Sequence, residues 1–232
     1  AVDHYYVLKN LTSITKITDS SDGSLLVFQN SLPHDEIIPI YDMLDVNFDL
    51  DQYSAQYNAK YPNNVLVTSE YLSSGVALSL LGDWFDYLRA EGVYDNTRII
   101  IVSDHGYPHY LKENQQLPDG FATERYNPIL FYKDFGSDDD FSINNEFMTN
   151  ADTPYLAVDG IIDNPVNPYT GKPITNDAKF NEPVYLCNSH KHSPAYNNGT
   201  AFDNDTGWYK LADTTGSNVF DNSNWIYMDE VN

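Results

Sequence analysis

Apolar positions along the chain form a few runs separated by long polar stretches, and their spacing predicts a small set of elements. Over residues 73–91, Ala77, Leu81, Trp84 and Leu88 recur at i, i+4, i+7 and i+11, with Leu80 and Phe85 widening the stripe. That period predicts an amphipathic helix. Ser73 or Ser74 is placed to cap its start, and Gly92 stands where a left-handed C-terminal cap belongs. Residues 98–103, RIIIVS, form a continuous apolar run, which predicts a central strand of a parallel sheet. Residues 24–29, SLLVFQ, follow the turn signal Asp22-Gly23 and predict a second strand buried on both faces. Residues 127–132, NPILFY, predict a third. Residues 151–162 suit a short helix with Pro154 in its first turn, and Gly and Pro mark 163–173 as a long turn. Trp208–Leu211 and Trp225–Met228 read as edge strands in an otherwise polar C-terminal region. Helix followed by apolar strand predicts an α/β fold, a mostly parallel sheet flanked by helices.

Composition narrows the partners. The 232 residues suit one large domain, or one domain with an appended tail. Twelve basic residues face 34 acidic ones, for a formal charge of −22. Such a surface repels nucleic acid and anionic membranes and favours divalent cations. The single cysteine, Cys187, excludes an internal disulfide framework and any multi-cysteine zinc site. No stretch of about 18 apolar residues is present to cross a membrane. Abundant Tyr, Asn, Asp, Thr and Ser with almost no thiol is the usage of surface-exposed or secreted bacterial proteins, so the expected location is extracytoplasmic. Residues 42–65 are acidic and rich in Tyr and Asn, and read as a surface excursion with two short helices. Within them Asp45, Asn47, Asp49 and Asp51 imitate a calcium loop, but Leu50 stands where the loop needs glycine and Gln56 where it needs glutamate. A solvated acidic face is the better reading.

The candidate chemistry lies at the end of the 98–103 run, where the sequence continues Ser103-Asp104-His105-Gly106. In open α/β sheets, ligands bind at the C-terminal ends of strands. Asp supplies a hard anionic oxygen and neutral His a nitrogen, a pairing suited to Zn²⁺ or Mn²⁺. Gly106 would permit the sharp turn that lets both side chains converge. His109, four residues on, could add an outer-shell or further contact, with an exposed loop histidine as the simpler account. His190 and His192 offer a weaker His-x-His pair.

Helix, short link, Asp95-Asn96-Thr97, apolar strand and then Ser-Asp-His-Gly resembles the metal-binding segment of the alkaline-phosphatase/sulfatase superfamily. The likeness is to the sulfatases and to the phosphoethanolamine and lipoteichoic-acid-synthase-like phosphoglycerol transferases. The resemblance implies Asp104 and His105 as ligands of a catalytic divalent metal (Zn, Mn or Ca). Residues 25–39, LLVFQNSLPHDEIIP, resemble the family segment whose histidine contacts the substrate head group, which implies that role for His34, with His109 as a second substrate contact. ERYNPILFYKDF, residues 124–135, resembles a later family strand. The likeness spans about residues 20–165. It implies a catalytic-domain portion over residues 1–175, with an aromatic-rich tail, 176–232, packed on it. The family's nucleophile and a further carboxylate ligand have no counterpart before His34. The resemblance therefore implies an N-terminally incomplete domain, its remainder in the missing N-terminal half of the same protein, and no turnover by this chain alone. The implied substrate is a phosphate or sulfate ester, including a lipid-linked one. The alternative class is a non-catalytic cell-surface module, binding glycan through Trp208, Tyr209, Trp225 and Tyr227 or calcium through its acidic surface.

Overall fold

A computed structural model describes residues 2–20, 22–34, 50–60, 65–107, 117, 122–187, 208–215 and 219–228. The chain is a mixture of helices and small sheets and divides into two compact units, residues 1–97 and 98–232.

The first unit is helical. Its described elements are helices α1 (Val2–Lys9), α2 (Leu11–Ile14), α3 (Leu50–Lys60) and α4 (Val65–Ala90) and the 3₁₀ turn Leu32–His34. The core gathers Tyr5, Leu8 and Leu11 with Leu32 and with Leu72, Val76, Ala77 and Leu80 of α4. Leu81 and Trp84 pack at its margin, so the predicted apolar stripe does face the core. Trp84 also donates its indole N–H to Thr15 Oγ1 at 2.9 Å, giving the polar end of a large apolar side chain a partner. Asn30 fastens the 30–34 loop. Its Nδ2 donates to His4 O at 2.9 Å, and its Oδ1 accepts the Leu32 N–H at 2.9 Å.

The end of α4 follows its sequence signal. Gly92 has φ +72° and donates to Arg89 O, while Val93 donates to Leu88 O, each at 3.0 Å. This pair of bonds satisfies the last carbonyls of the helix in the manner of a left-handed cap. The start differs from expectation. Ser73 is fully buried in mid-helix and caps nothing, because helical structure begins at Val65.

Residues 24–29 also differ. No strand forms there, and Leu25, Leu26 and Val27 are 79%, 75% and 85% exposed. Apolar, β-prone residues fit a strand only when another strand accepts their backbone groups and a second layer covers their side chains. Neither is present around this run among the described residues.

Among the described residues, the second unit holds two sheets. Strand β1 (Ile99–Val102) pairs antiparallel with β2 (Leu130–Lys133), with Ile99 opposite Lys133 and Val102 opposite Leu130. Ser103 extends the ladder, since its N–H donates to Ile129 O at 3.0 Å and its Oγ accepts the Ile129 N–H at 2.8 Å. Helix α5 (Thr153–Val158), with Pro154 in its first turn, packs on β1. After the short helix α6 (Ala178–Asn181), strands β3 (Val184–Cys187), β4 (Trp208–Leu211) and β5 (Trp225–Met228) form an antiparallel sheet in that order. Tyr209, Leu211 and Trp225 join Leu117 in its core, flanked by Tyr126, Phe147, Val184, Leu186 and Val219.

The parallel sheet expected from the sequence is therefore not the pairing observed: every strand pair among the described residues is antiparallel. An unbroken apolar run such as IIIV favours a strand, although here Ile99, Ile100 and Ile101 are only part-buried and Val102 is exposed. Such a run carries no information about the direction of the neighbouring strand. Among the described residues, no helix is long and apolar enough to cross a membrane.

One side chain ties β1, β2 and α5 together. Arg98, directly before β1, donates from Nε and Nη2 to Asp134 Oδ1 at 2.9 and 2.8 Å. Its Nη1 donates to the carbonyls of Leu156 and Asp159, at 3.0 and 2.7 Å, where α5 ends. A cation there also complements the negative end of the helix. Its guanidinium lies 4.8 Å from the Phe135 ring centre and 5.8 Å from that of Tyr132.

Two pKa shifts follow. Burial, then the hydrogen bond to Asp134, pushes the Tyr132 phenol up to about 12. For Asp134, burial acts upward but is outweighed by hydrogen bonds from Arg98, the Phe135 N–H and Tyr132, so its carboxyl sits below the usual range. A phenol raised on folding contributes stability in full below its unfolded pKa of about 10 and loses it as pH rises through the folded value. A carboxyl lowered on folding contributes above its unfolded pKa of about 3.9 and loses it as pH falls through the folded value. Denaturant midpoints are thus expected to fall on both sides of a plateau, and Tyr132→Phe is expected to flatten the alkaline limb. An unchanged alkaline limb in that variant would remove Tyr132 from this account.

Candidate metal centre at the end of β1

The Asp104–His105 pair sits where β1 runs out and the chain turns toward Gly106. The turn is held from two sides. Asn150, in the 3₁₀ turn Asn150–Asp152 that leads into α5, donates from Nδ2 to Ser103 O at 3.1 Å and Asp104 O at 2.8 Å. On the other side Gly106 donates its N–H to Arg125 O at 2.9 Å, in the 3₁₀ turn Thr123–Tyr126.

Gly106 is required here, although for a different reason from the one its sequence context suggests. Its φ is not in the left-handed region. Instead the backbone approaches so closely that an added Cβ would lie 2.0 Å from Glu124 O and 2.7 Å from Asn127 O. The absence of a side chain is what lets the loop dock on the turn.

The two candidate ligands face each other. His105 Nδ1 lies 2.8 Å from Gly106 O. A carbonyl can only accept, so Nδ1 carries a proton, and in the neutral ring Nε2 is then the nitrogen with the lone pair. Nε2 is 3.8 Å from Asp104 Oδ2. The other carboxylate oxygen, Oδ1, accepts the His105 N–H at 3.0 Å. Side-chain exposure is 89% for Asp104 and 46% for His105, so both atoms are reachable from solvent.

These residues fit a divalent ion as a partial site. The separation of Oδ2 and Nε2 is within the span of two ligands that each lie about 2.0–2.2 Å from one Zn²⁺. Anchoring of the distal ring nitrogen on a carbonyl is the usual support for a metal-bound histidine. Among the described residues no group of three His, Cys, Asp or Glu side chains converges, at this pair or elsewhere.

Other residues singled out by the sequence are distributed differently. His34 is exposed at the end of the Leu32–His34 turn, in the first unit, whereas Asp104 and His105 belong to the second. His109, His190, His192, Asp45, Asn47 and Asp49 lie outside the described residues. Two aromatics proposed for stacking on glycan are core residues. Tyr209 is fully buried, and Trp225 is enclosed, its ring centre 5.3 Å from that of Tyr126 and its indole N–H donating to Val219 O at 2.8 Å.

Sequence reasoning missed Asn150 and Arg98. Each acts on partners about 35 to 60 residues away, and local spacing carries no trace of such contacts.

No known protein-family model, curated protein or solved structure matches this chain. Function is therefore argued from the site itself.

Proposed function

We propose that Asp104 and His105 are two ligands of a divalent-metal site in an alkaline-phosphatase/sulfatase-type domain that hydrolyses or transfers phosphate or sulfate esters. The observation that carries this reading is the orientation of His105: Nδ1 is committed to Gly106 O, and Nε2 faces Asp104 Oδ2. The acidic composition, which favours divalent cations, supports it.

When bound, the metal would activate a hydroxyl nucleophile and offset charge on the transferred group. This chain's own contribution is narrower. Asp104 supplies an anionic oxygen, His105 a neutral nitrogen, and Gly106 and Asn150 hold both at the strand end. The reaction takes place outside the membrane, and the preferred substrate is a lipid-linked phosphoglycerol or phosphoethanolamine, with a soluble sulfate ester as the other branch. His34 and His109 as contacts to the substrate are part of the same proposal. So is the parallel sheet of such domains, for which β1 retains one edge without a strand partner among the described residues.

In the intact protein, Asp104→Ala is expected to lower phosphodiesterase or sulfatase turnover by at least the ~10–100-fold that changes beyond the ligands themselves cost. Equal turnover in wild type and variant would overturn the assignment.

A further inference from the structure

A second cluster in the same unit has no part in that chemistry. Lys179, in α6, is buried with its side chain only 4% exposed, beside Asp152 at 7%. Lys179 Nζ lies 3.2 Å from Asp152 Oδ2 and 3.1 Å from Met148 Sδ, and it donates to Asn176 Oδ1. The Phe180 ring centre is 5.1 Å away. Both ends of the arrangement are fixed. Asp152 Oδ2 also accepts from Thr149, from N–H at 2.6 Å and from Oγ1 at 3.1 Å, while Thr214 Oγ1 donates to Lys179 O at 3.0 Å.

A buried amine and carboxylate in contact, with a half-buried carboxamide against the same amine, are the reactants and the proton carrier of an amide exchange. We propose that Lys179 and Asn176 join in an intramolecular isopeptide bond, with Asp152 as the acid–base group. Nζ passes a proton to Asp152 Oδ2, which turns a buried ion pair into a neutral pair and removes the desolvation cost of two charges. The neutral amine attacks Asn176 Cγ. Asp152 hands this proton to Nδ2 and takes the second proton from Nζ, the Cγ–Nδ2 bond breaks, and ammonia departs as the Nζ–Cγ amide forms, leaving Asp152 protonated. No oxidant or cofactor is required, and one ammonia is lost per bond. Positioning of the amine against both other groups supplies the rate, since reactants held in contact gain a large effective concentration. The product closes a loop at the start of α6 and replaces a buried charge pair by a neutral amide.

The test is the intact mass of the 232-residue chain after folding, followed by tryptic mapping of the denatured protein. The expected mass is one ammonia below the sequence mass, with the loss in the peptide spanning 176–179 and with Lys179 refractory to trypsin and to amine acylation. Lys179→Met is expected to restore the full mass. A wild-type chain of full mass after prolonged incubation overturns the proposal, and needs no variant to do so. Loss of ammonia with Lys179 still cleavable also overturns it, because that pattern marks a succinimide at Asn176. Asp152→Asn is expected to form the bond far more slowly than wild type in a refolding time course; an equal rate would remove Asp152 from the mechanism.

Discussion

Gly106→Ala is expected to be among the most damaging single substitutions in the second unit. The new methyl would meet Glu124 O at 2.0 Å and Asn127 O at 2.7 Å, and both obstacles are backbone atoms that no rotamer change can move. Either the loop lifts from the Thr123–Tyr126 turn, losing the Gly106 N–H bond to Arg125 O, or the turn itself shifts. Overpacking costs about 1–3 kcal/mol and sometimes more, and a contact with rigid backbone belongs at the upper end. Urea denaturation should show the loss, and the Asp104–His105 geometry should go with it. Gly82 provides the control. It lies inside α4, nothing stands within 4 Å of its added Cβ, and its φ is not left-handed. Gly82→Ala is expected to stabilise the chain by about 0.5–1 kcal/mol through helix propensity. Equal effects at the two positions would contradict the close approach described at Gly106.

Arg98→Ala is expected to have the second large effect. Its guanidinium makes four hydrogen bonds to three partners and is only 9% exposed, whereas Asp134 is 46% exposed. The asymmetry matters for the magnitude. Asp134 would regain water when its partner is removed, so the cost falls below the ~3–5 kcal/mol of breaking a fully buried pair. The carbonyls of Leu156 and Asp159 also lose their donor, and a loss of roughly 2–3 kcal/mol results. Arg98→Lys should recover only part of this, because a single ammonium cannot span the carboxylate and both carbonyls as a planar fork does. The expected readout is earlier urea unfolding for Ala than for Lys, with wild type latest. A lysine variant as stable as wild type would show that charge alone, without the fork, holds β1 to α5.

The elements that local chemistry specifies were legible in the sequence. Gly92 closes α4 because a left-handed residue is needed there. Pro154 opens α5, and Trp208–Leu211 and Trp225–Met228 form strands, although the first, expected at an edge, is the central strand of its sheet because β3 pairs on its other side. What long-range pairing decides was not legible. Residues 24–29 and 99–102 carry the same kind of apolar run, yet only the second finds a partner, β2, among the described residues. Ser73 looked like a cap because serine favours helix starts, but Leu72 and Val76 on the same face continue the helix through it. At the candidate site, Asp104, His105 and Gly106 stood out by residue type and position. The supports did not: Asn150 reaches the loop across 46 residues, and the closeness of Gly106 to the Thr123–Tyr126 turn is a tertiary fact.

The central claim is that His105 Nε2 and Asp104 Oδ2 form a metal-binding pair. It is tested most directly by titrating the folded chain with Zn²⁺ and with Mn²⁺ while following the imidazole resonances by NMR, in wild type, Asp104→Ala and His105→Ala. The account predicts that the His105 ring signals shift or broaden first among the six histidines, with Nδ1 remaining protonated, and that either substitution weakens binding at this site at least tenfold. Metal-induced shifts that spare His105, or equal affinity in all three proteins, would contradict it.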